Sequence, residues 1–160
     1  MTRLTTIDIT DIGQNLETYE AELGNKCGRT LLGLACHAIG AEKGPIQKRL
    51  TSLSVAVIPM TCGQGSLSGF SEAVAAIAAH LGCRAFVTSR ADVGGLGEAF
   101  SNKSDVLLLA DEEHYLALGL EKRLKVDNDR ATARGFVGGL DLMADRKSTR
   151  LNSSHRLRSR

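Results

Sequence analysis

Apolar residues recur along the first part of the chain at helical spacing. Ile9, Ile12, Leu16, Tyr19 and Leu23 follow one another at intervals of three, four, three and four, which predicts one apolar helix stripe. Gly24 and Gly28 punctuate its end. A second helix is expected over residues 29–39, where Leu31, Leu32, Leu34, Ala35 and Ala38 are apolar and Gly40 follows. Residues 41–52 read as a polar connector containing Pro45. From Leu53 the pattern changes to strand and helix in alternation. Residues 54–59 form a short apolar strand, and a glycine-rich loop then leads to a helix over 69–81 with Phe70, Val74, Ile77 and Leu81 on one face. Gly82 closes that helix. A second strand at 84–88 leads through a glycine-rich turn at 93–97 into a short helix ending near Asn102. A third strand at 105–110 is followed by a predicted helix from Asp111 or Glu112 to about Leu124, a polar linker at 125–130 and a last helix at 131–144.

Apolar strands alternating with helices predict an α/β fold with a sheet covered on both faces. The expected architecture is an N-terminal helical pair followed by a small, mostly parallel three-stranded sheet with flanking helices. The corresponding organisation is a helical segment at 1–52, an α/β domain at 53–130, a connecting helix at 131–144 and a tail at 145–160. Ligands of such sheets bind off the carboxyl ends of the strands, which directs attention to residues 61–69, 89–97 and 110–114.

The formal charge of +2 hides an uneven distribution. Residues 145–160 contain six Lys/Arg and one Asp, so the remainder holds 14 Lys+Arg against 17 Asp+Glu, a balance of −3. The tail resembles a nucleic-acid arm by composition. Yet Asp145 to His155 also reads, codon for codon, as the translation of a widely used sequencing adapter, and Ser159-Arg160 fits the same source. The segment is therefore expected to be artefactual and disordered, with the natural chain read only to about Ala144. Without it no nucleic-acid surface is expected. No apolar run reaches the ~20 residues of a membrane span, and the N-terminus lacks the apolar stretch of a signal peptide, so the expected location is the cytoplasm.

The cysteines (Cys27, Cys36, Cys62, Cys83) form no CxxC pair and the histidines show no zinc spacing, so no metal site is expected. The loop Pro59-Met60-Thr61-Cys62-Gly63-Gln64-Gly65-Ser66-Leu67-Ser68-Gly69-Phe70 is the strongest candidate for chemistry. Three readings stay open. Gly63-x-Gly65-x-x-x-Gly69 after a strand resembles a dinucleotide fingerprint of the NADP type, with Arg90 placed to meet a 2′-phosphate. The loop and helix start also suit a phosphate or carboxylate. It is, finally, a purely structural turn. Asp111, directly after the third strand, is either a helix N-cap or a carboxylate facing a ligand, and these roles are compatible. Cys62 lies in the loop near a helix start, but no histidine is placed by sequence to activate it as a nucleophile. His114 and Tyr115 read as helix-surface and core residues.

Five segments recur in order in a known family: Leu4-Thr5, Val57-Ile58-Pro59-Met60-Thr61-Cys62-Gly63-Gln64-Gly65, Gly69-Phe70-Ser71-Glu72, Ala91-Asp92-Val93-Gly94 and Leu108-Leu109-Ala110-Asp111-Glu112. Over residues 1–144 the chain resembles the N-terminal half of the PylD family, the 3-methylornithyl-N6-lysine dehydrogenases of pyrrolysine biosynthesis. The resemblance implies an enzyme that oxidises the terminal amine of the methylornithyl group with NAD+, loses ammonia and closes the pyrroline ring. It implies a substrate-binding role for residues 53–130 and an NAD site in a C-terminal Rossmann domain. Carried over by position, Leu4, Phe70 and Ala110 line the substrate pocket, Thr61 and Cys62 sit by a polar group of the substrate, and Asp111, the candidate catalytic residue, meets the substrate amine. Two departures stand out. Serine is expected where this chain has Cys62, and no strand with Gly-x-Gly-x-x-Gly follows Ala144, so no cofactor-binding residue is expected here. The implied partner is a small dipeptide-like substrate, with a homodimer as an open expectation. The alternative is a non-catalytic α/β module that binds a phosphate, a carboxylate or NADP at the Gly63–Gly69 loop.

Overall fold

The apolar run after Leu53 becomes the central strand. Val55, Ala56, Val57 and Ile58 are almost wholly buried, as a strand covered on both faces requires. The computed structural model describes residue 9 and residues 11–156, with side chains through residue 147. Among the described residues three helices, α1 (Ile12–Cys27), α2 (Leu31–Ala38) and α3 (Lys43–Leu50), precede β1 (Ser54–Val57). There follow a 3-10 turn (Gly63–Ser66), α4 (Phe70–His80), β2 (Arg84–Val87), α5 (Asp92–Ser101), β3 (Val106–Ala110), β4 (Tyr115–Gly119), β5 (Leu124–Asp127) and α6 (Asn128–Arg156).

The fold is α/β, with five strands in the order β2-β1-β3-β4-β5. β1 runs parallel to β2 and β3, whereas β3–β4 and β4–β5 are antiparallel. Side chains alternate between two apolar layers. On one face Val57 and Ala110 join Phe70, Ala73 and Val74 of α4, together with Ile9. On the other, Ala56, Ile58 and Leu107 pack against Ala99 of α5. The two helices that connect the parallel strands thus lie on opposite faces.

Several expectations are corrected. The sheet has five strands, not three, because residues 115–127 form a hairpin where a helix and a polar linker were predicted. The chain reverses at once after β3: Asp111 N–H donates to the His114 carbonyl at 2.9 Å, and Tyr115 pairs with Ala110. The Leu124-Lys125-Val126-Asp127 alternation, which has strand period, then pairs with β4. A second reversal turns on Arg123, whose φ is +52°. The connector at 41–52 contains α3, in which Pro45 occupies the first turn, where its missing N–H has no helical partner to lose. Gly24 lies inside α1; it is Gly28, with φ +73° and its N–H on the Gly24 carbonyl, that ends the helix. The glycines at 93–97 do not form a turn but lie within α5. A Cβ on Gly95 would strike the Arg90 carbonyl, Thr88 Oγ1 at 2.7 Å and Ile58 Cγ2 at 2.8 Å, so glycine lets α5 seat on the strand ends. α6 starts at Asn128 and passes Ala144 into the segment expected to be disordered. No glycine or proline interrupts residues 140–156, and extending an existing helix carries no nucleation cost. None of the described helices is long and apolar enough to cross a membrane.

Candidate functional site

The chain leaves β1 through α4 toward β2 and returns through α5 to β3 on the other side of β1. This is a topological switch point, and it brings the loops after β1, β2 and β3 to one sheet edge. The loop after β1 is held against the end of β3. Gln64 N–H donates to the Asp111 carbonyl and Met60 N–H to the Gly65 carbonyl, both at 3.4 Å. Inside the loop, Ser66 Oγ donates to the Gly63 carbonyl at 2.7 Å and Leu67 N–H to the Gln64 carbonyl at 3.1 Å.

Glycine is required at two positions here for a packing reason. Gly63 has φ +64°, and a Cβ on it would run into the backbone of Asp111 and Glu112. A Cβ on Gly65 would strike the Ala110 carbonyl and Met60 Cβ. In a phosphate cradle the glycines clear space for the ligand; here they clear space for the chain's own third strand. The loop N–H groups of Gln64 and Leu67 are also spent within the protein. Gly63 and Gly65 therefore serve the packing of the loop against the end of β3. Arg90 is exposed, with its side chain laid along Gly94.

Asp111 caps a turn, not a helix. Its Oδ1 accepts from the N–H groups of Glu113 (2.8 Å) and His114 (2.7 Å), and its Oδ2 accepts nothing among the described residues. The two N–H groups, His114 foremost, hold the carboxyl below its ordinary range, so it is ionised near neutral pH. Glu112 and Glu113 are exposed beside it, and His114 stands 3.9 Å from Asp127.

The loop after β2 is fastened by two further carboxylates. Glu98 accepts from Ser89 N–H (2.9 and 3.0 Å), Ser89 Oγ (2.7 Å) and Arg90 N–H (3.2 Å). Asp92 reaches across to the first loop, where its Oδ1 accepts from Thr61 N–H at 3.0 Å and its Oδ2 from Thr61 Oγ1 at 2.7 Å. Both carboxyls are held below their ordinary range, Asp92 chiefly by the Thr61 hydroxyl and Glu98 chiefly by the Ser89 N–H.

Residues 8–125 match the family described as "Pyrrolysine biosynthesis protein PylD, N-terminal domain". The chain belongs to this family. It is also similar to proteins named pyrrolysine synthase from Methanosarcina barkeri and Methanosarcina acetivorans. Each is 29% identical over 132 residues, covering 82% of this chain and 48% of the relative. The chain thus spans about half the length of the curated relatives it matches.

Within the PylD N-terminal fold the sequence-predicted residues divide into two sets. Thr61, Cys62 and Asp111 lie at the sheet edge, with Thr61 and Cys62 exposed and Asp111 partly so. Phe70 and Ala110 lie behind them, buried to 5% and 1% in one apolar cluster. Leu4 lies outside the described residues. His114 stands on the turn after β3, not on a helix, and Tyr115 is packed into the core as expected. Sequence reasoning does not single out Asp92 and Glu98, the two carboxylates that fasten these loops. Asp92 stands in the Ala91-Asp92-Val93-Gly94 segment, but its partner Thr61 is 31 positions away, beyond any local pattern.

Proposed function

We propose that this chain is the substrate-binding half of an NAD-dependent dehydrogenase of pyrrolysine biosynthesis, acting on the terminal amine of 3-methylornithyl-N6-lysine. Membership of the PylD N-terminal family and similarity to proteins named pyrrolysine synthase support the pathway. The observation that carries the site is Asp111, an ionised carboxylate fixed through one oxygen at the switch point while the other oxygen accepts no hydrogen bond among the described residues. A substrate ammonium would take that oxygen. A carboxyl held below its usual range is a poor proton acceptor near neutral pH, so Asp111 serves to bind and orient the amine more than to deprotonate it.

Thr61 and Cys62 would meet a second polar group of the substrate, with Phe70 and Ala110 buried behind them as packing support. NAD, when bound, supplies the hydride acceptor for the amine-bearing carbon. It would be held by the half of the relatives that this chain does not match. What the described residues supply is orientation, which converts a bimolecular encounter into a positioned one. An anion-binding module has less support, because loop N–H groups are already committed and Glu72, Glu112 and Glu113 are exposed nearby.

Calorimetric titration of the purified chain with 3-methylornithyl-N6-lysine tests the reading. Saturable binding that Asp111→Asn abolishes is expected, with no NAD+ reduction by the chain alone. Absence of binding, or turnover of NAD+ by this chain, would overturn it.

A further inference from the structure

Asp92 begins α5 in a left-handed conformation that residues other than glycine, asparagine and aspartate rarely adopt, with φ +52°. An aspartate at a helix start ordinarily accepts from N–H groups of its own helix. Here both carboxylate oxygens accept instead from Thr61, in the loop after β1. The backbone adds a third link, because Asp92 N–H donates to the Pro59 carbonyl at 2.9 Å. The unusual φ and the three bonds point the same way: Asp92 is committed to the Pro59–Thr61 segment, not to its own helix.

This commitment decides what Thr61 offers a ligand. An ionised carboxylate only accepts hydrogen bonds, so the Thr61 hydroxyl proton lies on the 2.7 Å bond to Asp92. The hydroxyl oxygen keeps its lone pairs, and Thr61 is exposed. We infer that Asp92 is a positioning and specificity residue that fixes the Thr61 hydroxyl as a hydrogen-bond acceptor, so that the loop selects an N–H donor, such as an ammonium or amide group, over a carboxylate. The inference rests on reading the loop as a substrate contact and gives that contact its polarity.

Asp92→Asn inverts the arrangement at almost constant shape. The amide oxygen keeps the Thr61 N–H, while the amide N–H2 donates to Thr61 Oγ1 and turns the hydroxyl proton outward. The probes are 1,4-diaminobutane and succinate, titrated into the full chain and followed through the Thr61 backbone amide resonance. In the wild type the diamine moves this resonance at lower concentration than succinate does. Asp92→Asn is expected to weaken the diamine response about tenfold, the scale of one lost charge-assisted hydrogen bond, and to strengthen the succinate response.

Thr61→Val removes the acceptor and is expected to lose the preference, and Thr61→Ser to restore it, so the test survives misfolding of the Asn variant. An unchanged diamine-to-succinate ratio in the variants, or a wild-type Thr61 that prefers succinate or answers neither probe, overturns the inference. Dipeptide binding separates this inference from the proposed function. If the dipeptide fails to bind while the diamine preference follows Asp92, only the substrate assignment falls. If it binds Asp92→Asn and wild type equally, only the role of Asp92 falls.

Discussion

The rings of Phe70 and Tyr115 meet edge to face, with centroids 5.6 Å apart and planes inclined at 66°. The contact joins the first residue of α4 to the first residue of β4 directly behind the sheet-edge site. Burial pushes the Tyr115 phenol up to about 12. Because the folded value is raised, the protein keeps its full stability below the ordinary tyrosine value and loses it as pH rises from about 10 toward about 12, by up to about 1.4 kcal/mol per pH unit. Denaturant titrations at stepped alkaline pH should show this decline in the wild type and a smaller one in Tyr115→Phe. Phe70→Ala, which empties the other side of the contact, is expected to cost about 3–5 kcal/mol at neutral pH.

Substitution of the loop glycines tests the packing account of the loop. In Gly65→Ala the new Cβ meets the β3 backbone at Ala110, and in Gly63→Ala the backbone of the turn that follows it, neither of which can yield as a flexible side chain does. Each is expected to lower stability by about 1–3 kcal/mol or more in urea unfolding. Gly97→Ala, where a Cβ meets nothing, should be neutral or slightly stabilising. A phosphate-cradle loop would instead tolerate alanine at Gly65, which has no left-handed backbone, in the free protein.

The acid limb follows from the sheet-edge carboxylates. Asp92, Glu98 and Asp111 all have folded values below their ordinary ones. Their contribution is therefore present above the unfolded values of about 4 and is lost as pH falls through the lower folded values. Unfolding midpoints measured downward from about pH 5 should drop. In Asp111→Asn the amide oxygen still caps the turn at Glu113 and His114, so the fold at neutral pH should persist while part of the acid dependence disappears.

The thiols should differ in accessibility. Cys62 is exposed, whereas Cys27 and Cys36 are buried and Cys83 is partly so. Mass spectrometry of the native chain under limiting iodoacetamide should find Cys62 alkylated first and Cys27 and Cys36 protected until unfolding. Cys62→Ser should leave the unfolding midpoint within experimental error, since surface substitutions are usually within about 0.5 kcal/mol of neutral.

The parallel half of the sheet was legible because its signals are local. Val55 to Ile58 and Leu107 to Ala110 are apolar runs bounded by polar or glycine-rich segments, and α4 carries its stripe at Phe70, Val74 and Ile77. The hairpin at 115–127 was not legible. Tyr115-Leu116-Ala117-Leu118 suits a helix as well as a strand, and the choice is made by the Asp111 turn and by pairing with β3, neither of which is a property of the segment itself. The same holds for the site. Asp111 was legible because it directly follows a strand, and Thr61 because it stands in a loop whose motif resembles that of the family. Asp92 was not, because its carboxylate is explained only by a residue on another loop.

By itself, then, the sequence determined the α/β class, the three strand ends where a ligand meets the sheet, and the family to which those loops belong. These rest on hydrophobic period and on short motifs, which are written along the chain. Only the tertiary structure decided what the glycines of the Thr61–Gly69 loop are for and which way the Thr61 hydroxyl points. Both depend on atoms brought together by the place of β1 between β2 and β3, and steric exclusion and hydrogen-bond polarity act through space, not along the sequence.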